Sequence, residues 1–175
     1  MVLAVPAPPV RAAGSRLTAP VYGADVTDDI TFLANTPLFI GTQTVAQSIP
    51  NNTITSLTLD SETVDTYNGH STSVNTSRYT PTVPGYYEVN GVYGPAASAS
   101  GNRFLLVAKN GVATALGQGG GAAAAATNTG SVQVTDTVFC NGSTDYIEIR
   151  AFQNSGGALN TAPSPTGMTV RWVHA

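Results

Sequence analysis

The feature that most constrains this chain is a succession of short β-type segments that starts after Pro37 and continues to the end. Each segment is rich in β-branched and aromatic residues, and turn-forming pairs such as Asn110-Gly111 and Asn141-Gly142 separate several of them. This pattern is typical of an all-β sandwich or barrel. The predicted strands span residues 38–47, 53–59, 77–83, 86–93, 103–109, 112–116, 131–140, 146–153 and 168–174.

Alternation within two of these strands predicts which side chains form the core, because successive side chains of a strand point to opposite faces. The predicted core residues of these strands are Tyr87, Val89, Gly91 and Tyr93 in the first and Ile147, Ile149 and Ala151 in the second. The opposite face of strand 146–153 combines two aromatic residues with an acid and a base, which is typical of a protein interface. Residues 104–108 do not alternate and predict a strand covered on both sides. The Gly- and Ala-rich residues 117–127 predict a loop or a loosely paired edge.

The first 37 residues have a different character. Residues 1–20 contain four prolines and no periodicity, which predicts an extended, polyproline-like arm. Residues 24–35 predict one short helix, because Val26, Ile30 and Leu33 recur at helical spacing after a cluster of aspartates. A helix this short is marginal in water and must dock on a partner. We therefore expect residues 1–37 to be a docking unit and residues 38–175 to be the folded body.

Charged side chains are scarce in this chain. They make up 10% of the residues, 7 basic and 10 acidic, where an ordinary globular protein has roughly 25%. With 42% hydrophobic residues the chain is expected to fold rather than to remain disordered. An uncharged surface loses little solvation energy when it is buried. Self-association or assembly is therefore the first expectation.

Several classes of protein are disfavoured by the same counts. A net charge of −3 with a single lysine gives no basic face, so no nucleic-acid partner is expected. Cys140 is the only cysteine, which excludes an intrachain disulfide and a cysteine-based zinc site. No membrane partner is expected from the apolar runs. The first ten residues lack the basic region of a signal peptide and are expected to belong to the mature protein.

One group of residues resembles the signature of a known family. Tyr79, Gly85, Tyr87, Val89 and Gly91 have the spacing of the aromatic–glycine–tyrosine signature of the complement component 1q head domain and its tumour-necrosis-factor-like relatives. Residues 49–53, 57–60 and 64–66 look like the first strands of that domain, 109–111 like its central hairpin turn and 146–149 like its penultimate strand. The resemblance implies an all-β, ten-strand jelly-roll sandwich that forms compact homotrimers, so residues 38–175 are expected to be a trimerisation domain.

The front of the chain carries a second resemblance. Residues 14–19 and 25–33, followed by Pro37-Leu38-Phe39, resemble the leader that precedes such jelly rolls in virion proteins of tailed actinobacteriophages. This implies a component of the phage head or tail, made in the bacterial host cytoplasm and located on the surface of the virion. No catalytic activity is implied.

Together these features give one principal functional hypothesis. The chain is expected to be a non-enzymatic, homotrimeric capsid decoration, head-fibre or minor capsid protein that binds the major capsid protein or tail proteins through its N-terminal arm. A tail fibre or minor tail protein is the alternative position. The predicted trimer-interface residues are Tyr146, Phe152 and Trp172, and the predicted virion-anchor residues are Val26, Ile30 and Leu33.

Two further hypotheses come from residues 68–77. A module that binds a host-surface glycan would use this loop and residues 117–127, with Tyr67, His70 and Tyr79 as candidate receptor-loop residues. Stacking on a sugar and hydrophobic packing at strand ends both explain the two tyrosines. A hydrolase would use His70 with Ser71, but no nucleophile elbow or oxyanion-hole motif accompanies them. Non-catalytic roles for these residues are therefore favoured.

No cofactor or metal is expected from the sequence. Asp60, Glu62 and Asp65 form the densest acidic group and have the oxygen ligands that calcium prefers, but no EF-hand-like loop contains them. A solvated turn is the simpler interpretation. The glycine run at 119–121 lacks the Lys-Ser/Thr of a phosphate-binding loop.

Overall fold

The computed structural model of the chain describes residues 3–7, 10–16, 18–121, 130–162 and 164–175. Its elements are α1 (Ala19–Tyr22), a π-helical turn (Gly23–Thr27), α2 (Asp28–Ala34), β1 (Leu38–Thr42), β2 (Ser48–Ile49), β3 (Thr55–Ser56), β4 (Ser61–Asp65), β5 (Gly85–Tyr93), β6 (Arg103–Lys109), β7 (Val112–Gly121), β8 (Val132–Cys140), β9 (Ile147–Gln153), β10 (Leu159–Asn160) and β11 (Gly167–His174). No described helix has both the length and the hydrophobicity needed to cross a bilayer.

The strands form two main antiparallel sheets around one core. The five-stranded sheet has the order β4-β1-β11-β5-β8, the four-stranded sheet has the order β3-β9-β6-β7, and β2 pairs with β10. Side chains from both main sheets meet in a single apolar cluster. The sandwich that the sequence predicts is confirmed, with β2, β4 and β10 as strands that the sequence did not predict.

Alternation along the sequence predicts the core residues correctly where one face of a strand is buried. The predicted core residues of β5 and β9 are all fully buried. Strand β8 shows the same rule, because buried residues alternate with exposed ones along its whole length. The turn at Asn110 and Gly111 is also confirmed, since both residues have the positive φ that a tight hairpin turn requires.

Two glycines allow the sheets to meet closely at one edge. A Cβ placed on Gly119 of β7 would lie 2.1 Å from the carbonyl oxygen of Gln133 in β8. A Cβ on Gly117 would lie 2.9 Å from a carboxylate oxygen of Asp136 in β8. Residues with side chains would therefore push β7 away from β8, and the closed edge of the sandwich depends on glycine at these positions.

The N-terminal helix packs on the body of its own chain. Phe32 of α2 is buried with Tyr67 and Val83, and its ring meets the edge of the Trp172 ring at a centroid distance of 5.0 Å. Leu3 also packs against this cluster. The docking that the sequence predicts for this helix on a partner therefore takes place on the chain's own sandwich.

Three local predictions need correction, and one is resolved. The helical region begins at Ala19 rather than at residue 24. Residues 77–83 do not form a strand, and Tyr79 makes only an isolated bridge with Ile147. Of the loop and the paired edge predicted for residues 117–127, the structure has the edge at 117–121, because these residues continue the edge strand β7, whereas 122–127 lie outside the described residues. Strand β6 is not covered on both sides, because Phe104 is 39% exposed on its outer face.

The close approach at Gly119 predicts a large effect of a small substitution. Replacing Gly119→Ala should lower the free energy of unfolding by about 2–3 kcal/mol, because the added methyl group overlaps backbone that cannot easily move. The matched control is Gly157→Ala, since no heavy atom lies within 4 Å of a Cβ at this position. Urea unfolding of both variants measures the difference, and equal stability of the two would contradict the packing of β7 on β8.

Candidate assembly surface and apical loop

The outward side of the five-stranded sheet, here called the outer face, is a wide surface formed by side chains of five strands. It is built by alternation, because every second side chain of each strand points away from the core. The cross-strand pairs of the sheet place these side chains in adjacent rows. The outer face is defined by Leu38, Ile40, Val64, Tyr86, Glu88, Asn90, Val92, Thr135, Thr137, Phe139, Thr169 and Arg171.

Apart from the His174 ring, which lies beside Tyr86 at its end, the outer face carries one acid and one base, and they neutralise each other. An Arg171 guanidinium nitrogen lies 2.7 Å from a carboxylate oxygen of Glu88. The side-chain amide of Asn90 also donates to Glu88, and the two hydrogen bonds hold the pKa of this carboxyl below its usual range. The remaining side chains are aliphatic, aromatic, hydroxyl or amide groups. An interface formed by this face would therefore contain no unpaired charge after its water is removed.

Each end of the outer face offers an apolar feature. At one end Tyr86 and Phe139 form an edge-to-face pair with their ring centroids 5.3 Å apart, and both rings are exposed. At the other end a groove of about 490 Å³ runs between Ile40, Val92 and Pro165. Exposed aromatic rings and an apolar groove on one uncharged face are typical of a protein-binding surface.

A polar cluster supports the Phe139 end of the outer face. Asp145 accepts hydrogen bonds from Lys109 at 2.8 Å, from the Asn110 side chain at 2.7 Å and from the Asn141 backbone at 3.0 Å. The Lys109 ammonium lies 5.8 Å from the centre of the Phe139 ring. The cluster thereby joins the β6–β7 turn to the loop that follows β8.

The three predicted trimer-interface residues do not share one surface. Trp172 lies at the end of β11, where it contacts Phe32 and donates its indole N–H to Pro84. Phe152 lies on the outward side of the four-stranded sheet, 5.9 Å from Phe104 between ring centroids. Tyr146 lies at the start of β9 beneath Arg78. Sequence reasoning missed the outer face, although alternation in β5 had already separated Tyr86 from the core residues.

The predicted anchor residues are partly available for binding. Ile30 and Leu33 are 60% and 69% exposed, and Val26 is half-buried. The residue that docks the helix on the body is Phe32, which lies off the predicted stripe. Helical spacing alone does not identify Phe32 as the docking residue. Its size does, because Phe32 is the largest apolar side chain of α2.

The apical loop, residues 68–78, is held in place by His70. Its ring is fully buried and lies 4.8 Å from the Phe39 ring between centroids. One ring nitrogen lies 2.7 Å from a carboxylate oxygen of Glu62, and the other lies 3.0 Å from the carbonyl oxygen of Thr76. His70 therefore joins β4 to the far side of the loop and serves the structure of the loop.

Of the two interpretations of Tyr67 and Tyr79, the structure supports hydrophobic packing rather than stacking on a sugar. Tyr79 is completely buried and stacks on Phe39 with their centroids 4.9 Å apart, and Tyr67 is only 1% exposed. Burial raises the pKa of both phenols. Neither ring offers a free face to a ligand, because the core covers them.

A hydrolytic site also finds no support in the geometry. Both ring nitrogens of His70 are engaged by Glu62 and Thr76. The hydroxyl of Ser71 instead accepts a hydrogen bond from the backbone N–H of Val74 and lies 3.4 Å from the hydroxyl of Ser73. A nucleophile must reach its general base, and these two side chains are turned to different partners.

The acidic residues are not gathered into a calcium site. Asp60 accepts hydrogen bonds from the backbone of Thr44 and Val45, which lower its pKa against the opposing effect of burial. Asp65 accepts from the backbone of Tyr67 and His70, whereas Glu62 binds the His70 ring. Among the described residues no group of three or more acidic, histidine or cysteine side chains could hold a metal ion.

A polar cleft of about 470 Å³ lies beside the apical loop. Arg78 forms one wall, with its guanidinium 4.1 Å above the centre of the Tyr146 ring and 3.5 Å from Glu148. The other lining side chains are mainly amides and hydroxyls, namely Asn68, Ser71, Asn75, Thr80 and Thr144. Groups of this kind are able to hydrogen-bond a hydroxyl-rich ligand.

Comparison with known proteins identifies the fold. No protein-family model and no curated protein sequence matches the chain. Murine APRIL at pH 5.0 is 10% identical with a TM-score of 0.58, covering 78% of this chain and 98% of that chain. Eiger TNF from S. frugiperda is 9% identical with a TM-score of 0.57, covering 78% of this chain and 93% of that one. The chain therefore has the TNF-like jelly-roll fold that its sequence resemblance implies.

The Lys109–Asp145 contact predicts a specific response to acid. The Lys109 hydrogen bond, followed by that of Asn110, holds the pKa of Asp145 below its usual value. Its contribution to stability is therefore present above about pH 4, the ordinary value of an aspartate, and is lost as the pH falls through the lower folded-state value. Asp145→Asn should flatten the acid limb of a stability–pH curve measured by urea unfolding. Asp29→Asn, a change in the exposed helix, is the control, and identical acid limbs for all three proteins would refute the role of Asp145.

Proposed function

We propose that the protein is a non-enzymatic structural component of a tailed-phage virion, in which three copies assemble through the outer face and decorate the particle. The N-terminal helix attaches this trimer to the major capsid protein or to tail proteins. The observation that carries the proposal is the outer face itself, because a wide sheet surface with one internally neutralised ion pair is suited to burial against further copies.

Threefold closure gives this surface a physical rationale. A sheet face that binds a different face of the next copy forms either a closed ring or an open filament. Closure after three copies buries every outer face and leaves no unsatisfied site for further growth. The resemblance to trimeric jelly rolls supports three as the number of copies.

Attachment through the helix follows from its exposed side. Ile30 and Leu33 point to solvent, whereas Phe32 fixes the same helix to the body. A partner that binds the exposed side is thereby connected to the sandwich itself. Three helices on one trimer also multiply weak attachments through their effective concentration.

The head surface is the favoured position on the particle. The chain is short, and its described residues contain neither a shaft nor a coiled coil that could extend far from the virion. A decoration, head-fibre or minor capsid role fits a compact sandwich, whereas a tail fibre or minor tail protein is the alternative.

A second candidate function is recognition of a host-surface glycan at the apical loop. The polar cleft beside Arg78 and Tyr146 favours it, because its amides and hydroxyls match the hydrogen-bonding groups of a sugar. A glycan array probed with the labelled protein should show binding that Arg78→Ala abolishes and Arg16→Ala, at an exposed position outside both surfaces, leaves intact. A blank array would eliminate this function and would not affect the structural one.

The assembly proposal predicts an opposite outcome for two lysine substitutions. Wild type should sediment as a species of three times 17.9 kDa, about 54 kDa. Val92→Lys should dissociate it, because Val92 lies on the outer face and an unpaired ammonium is costly to bury. Leu106→Lys on the other sheet should remain assembled. A monomeric wild type in sedimentation velocity would overturn the proposal.

The attachment proposal predicts a loss of incorporation without a loss of assembly. The double variant Ile30→Asp, Leu33→Asp should form the same trimer but should be missing from purified phage particles, because it removes the exposed apolar side of the helix. Thr31→Asp places a charge on the same helix and should still be incorporated. Immunoblots of particles report the result, and normal incorporation of the double variant would show that the anchor lies elsewhere.

A further inference from the structure

The ring of His70 lies between two groups that accept hydrogen bonds and donate none. Its Nδ1 lies 2.7 Å from a carboxylate oxygen of Glu62, and its Nε2 lies 3.0 Å from the carbonyl oxygen of Thr76. A neutral imidazole has one N–H and one acceptor nitrogen. It makes only one of these contacts, because its second nitrogen turns a lone pair toward another lone pair. Both contacts together require a ring with two N–H groups, which is the imidazolium form.

The surroundings suit a positive charge on the ring. The extra proton belongs to the imidazole rather than to Glu62, since imidazole is ordinarily the stronger base. The His70 side chain is 0% exposed, and the Glu62 carboxylate supplies the opposite charge that a buried cation needs. The Phe39 ring lies 4.8 Å from the imidazole between centroids, within the range of a cation–π contact. Glu62 itself is 29% exposed, so water can solvate its carboxylate when the ring loses the proton.

Glu62 is the charge that decides the protonation of this ring. Asp65, at the end of β4, instead faces the backbone and accepts the His70 N–H at 2.9 Å. Arg78 lines the same cleft as His70 but is paired with an acid of β9. Tyr79 stacks on the same phenylalanine as the imidazole, and burial raises the pKa of its phenol, which stays neutral. Among the described charged side chains, Glu62 is therefore the one that hydrogen-bonds the ring.

The Thr76 carbonyl oxygen fixes the far side of the apical loop. It accepts a second hydrogen bond, from the backbone N–H of Leu59 at 2.9 Å. His70 and Leu59 thereby hold this part of the loop against the body. Asn75 and Arg78, which lie on either side of Thr76 in the chain, line the polar cleft. The position of Thr76 therefore sets the shape of one wall of the cleft.

We propose that His70 is a pH-sensitive switch that holds the apical loop at low pH and releases it at high pH. The imidazolium joins Glu62 to Thr76. When it loses a proton, the remaining N–H stays on the Glu62 side, because a hydrogen bond to an ionised acceptor is the stronger one. Nε2 then presents a lone pair to the Thr76 carbonyl oxygen, and the two acceptors repel each other. The loop moves away from the ring, whether or not the cleft binds a glycan.

Hydrogen exchange of the Leu59 amide proton reports the switch, because its acceptor is the same Thr76 carbonyl oxygen. Its protection, taken relative to the intrinsic exchange rate at each pH, should fall at least about tenfold between about pH 5 and about pH 9, across the ordinary histidine range. The protection of amide protons in β5 should not change. The nitrogen chemical shifts of the His70 ring should pass from those of a doubly protonated ring to those of a neutral one over the same range.

Three variants of the full chain test the cause of this response. Glu62→Gln should hold the loop at both pH values, because its side-chain N–H can donate to Nδ1 of a neutral ring while Nε2–H still donates to Thr76. His70→Gln should leave the Leu59 protection low at both pH values, because one amide nitrogen does not replace two ring nitrogens on opposite sides. His174→Gln changes the other of the two histidines and is the matched control, which should keep the wild-type response.

Equal protection of Leu59 at the two pH values in the wild-type protein would overturn the switch. A Glu62→Gln variant that still loses this protection as the pH rises would overturn it as well, and so would a response that His174→Gln abolishes.

Discussion

Desolvation is the constraint on which the arrangement of this chain depends. A charge buried without a partner is costly, and the chain has few charges to place. Three of its close ion pairs, Glu88–Arg171, Lys109–Asp145 and Arg78–Glu148, use six of the charged side chains within the body, and Glu62 lies within hydrogen-bond distance of the His70 ring. The remaining outward positions of the five-stranded sheet are apolar or neutral. A face of this composition loses little solvation free energy when water is removed. It is therefore suited to assembly.

The junction between the N-terminal segment and the sandwich is the second feature on which the structure depends. The Tyr67 hydroxyl donates to the Asn35 carbonyl oxygen, while Phe32 and Trp172 pack edge to face beside it. The junction explains how one short helix can both dock and remain available, because it buries Phe32 and exposes Ile30 and Leu33. It also gives Tyr67 a structural role instead of a ligand-binding one.

Sequence periodicity predicted the parts of the structure that depend on a single buried face. Tyr87, Val89 and Tyr93 were placed correctly because a strand with one face in the core must alternate. Periodicity does not say which element covers a residue, so Tyr79 was assigned to a loop surface although Phe39 and the core enclose it. Phe32 was missed because one large side chain suffices to dock a short helix. Trp172 and Phe152 were grouped by residue type, whereas the topology places them on different sheets.

Burial of the outer face between copies is tested most directly by hydroxyl-radical footprinting of the purified protein. Three aromatic side chains have similar exposure in the single chain: Tyr86 at 44%, Phe139 at 46% and Phe104 at 39%. Tyr86 and Phe139 lie on the outer face, whereas Phe104 lies on the outward side of the other sheet. Assembly through the outer face predicts that Tyr86 and Phe139 are strongly protected from oxidation while Phe104 reacts freely. Equal modification of all three rings, at the rates that their exposure sets, would contradict it.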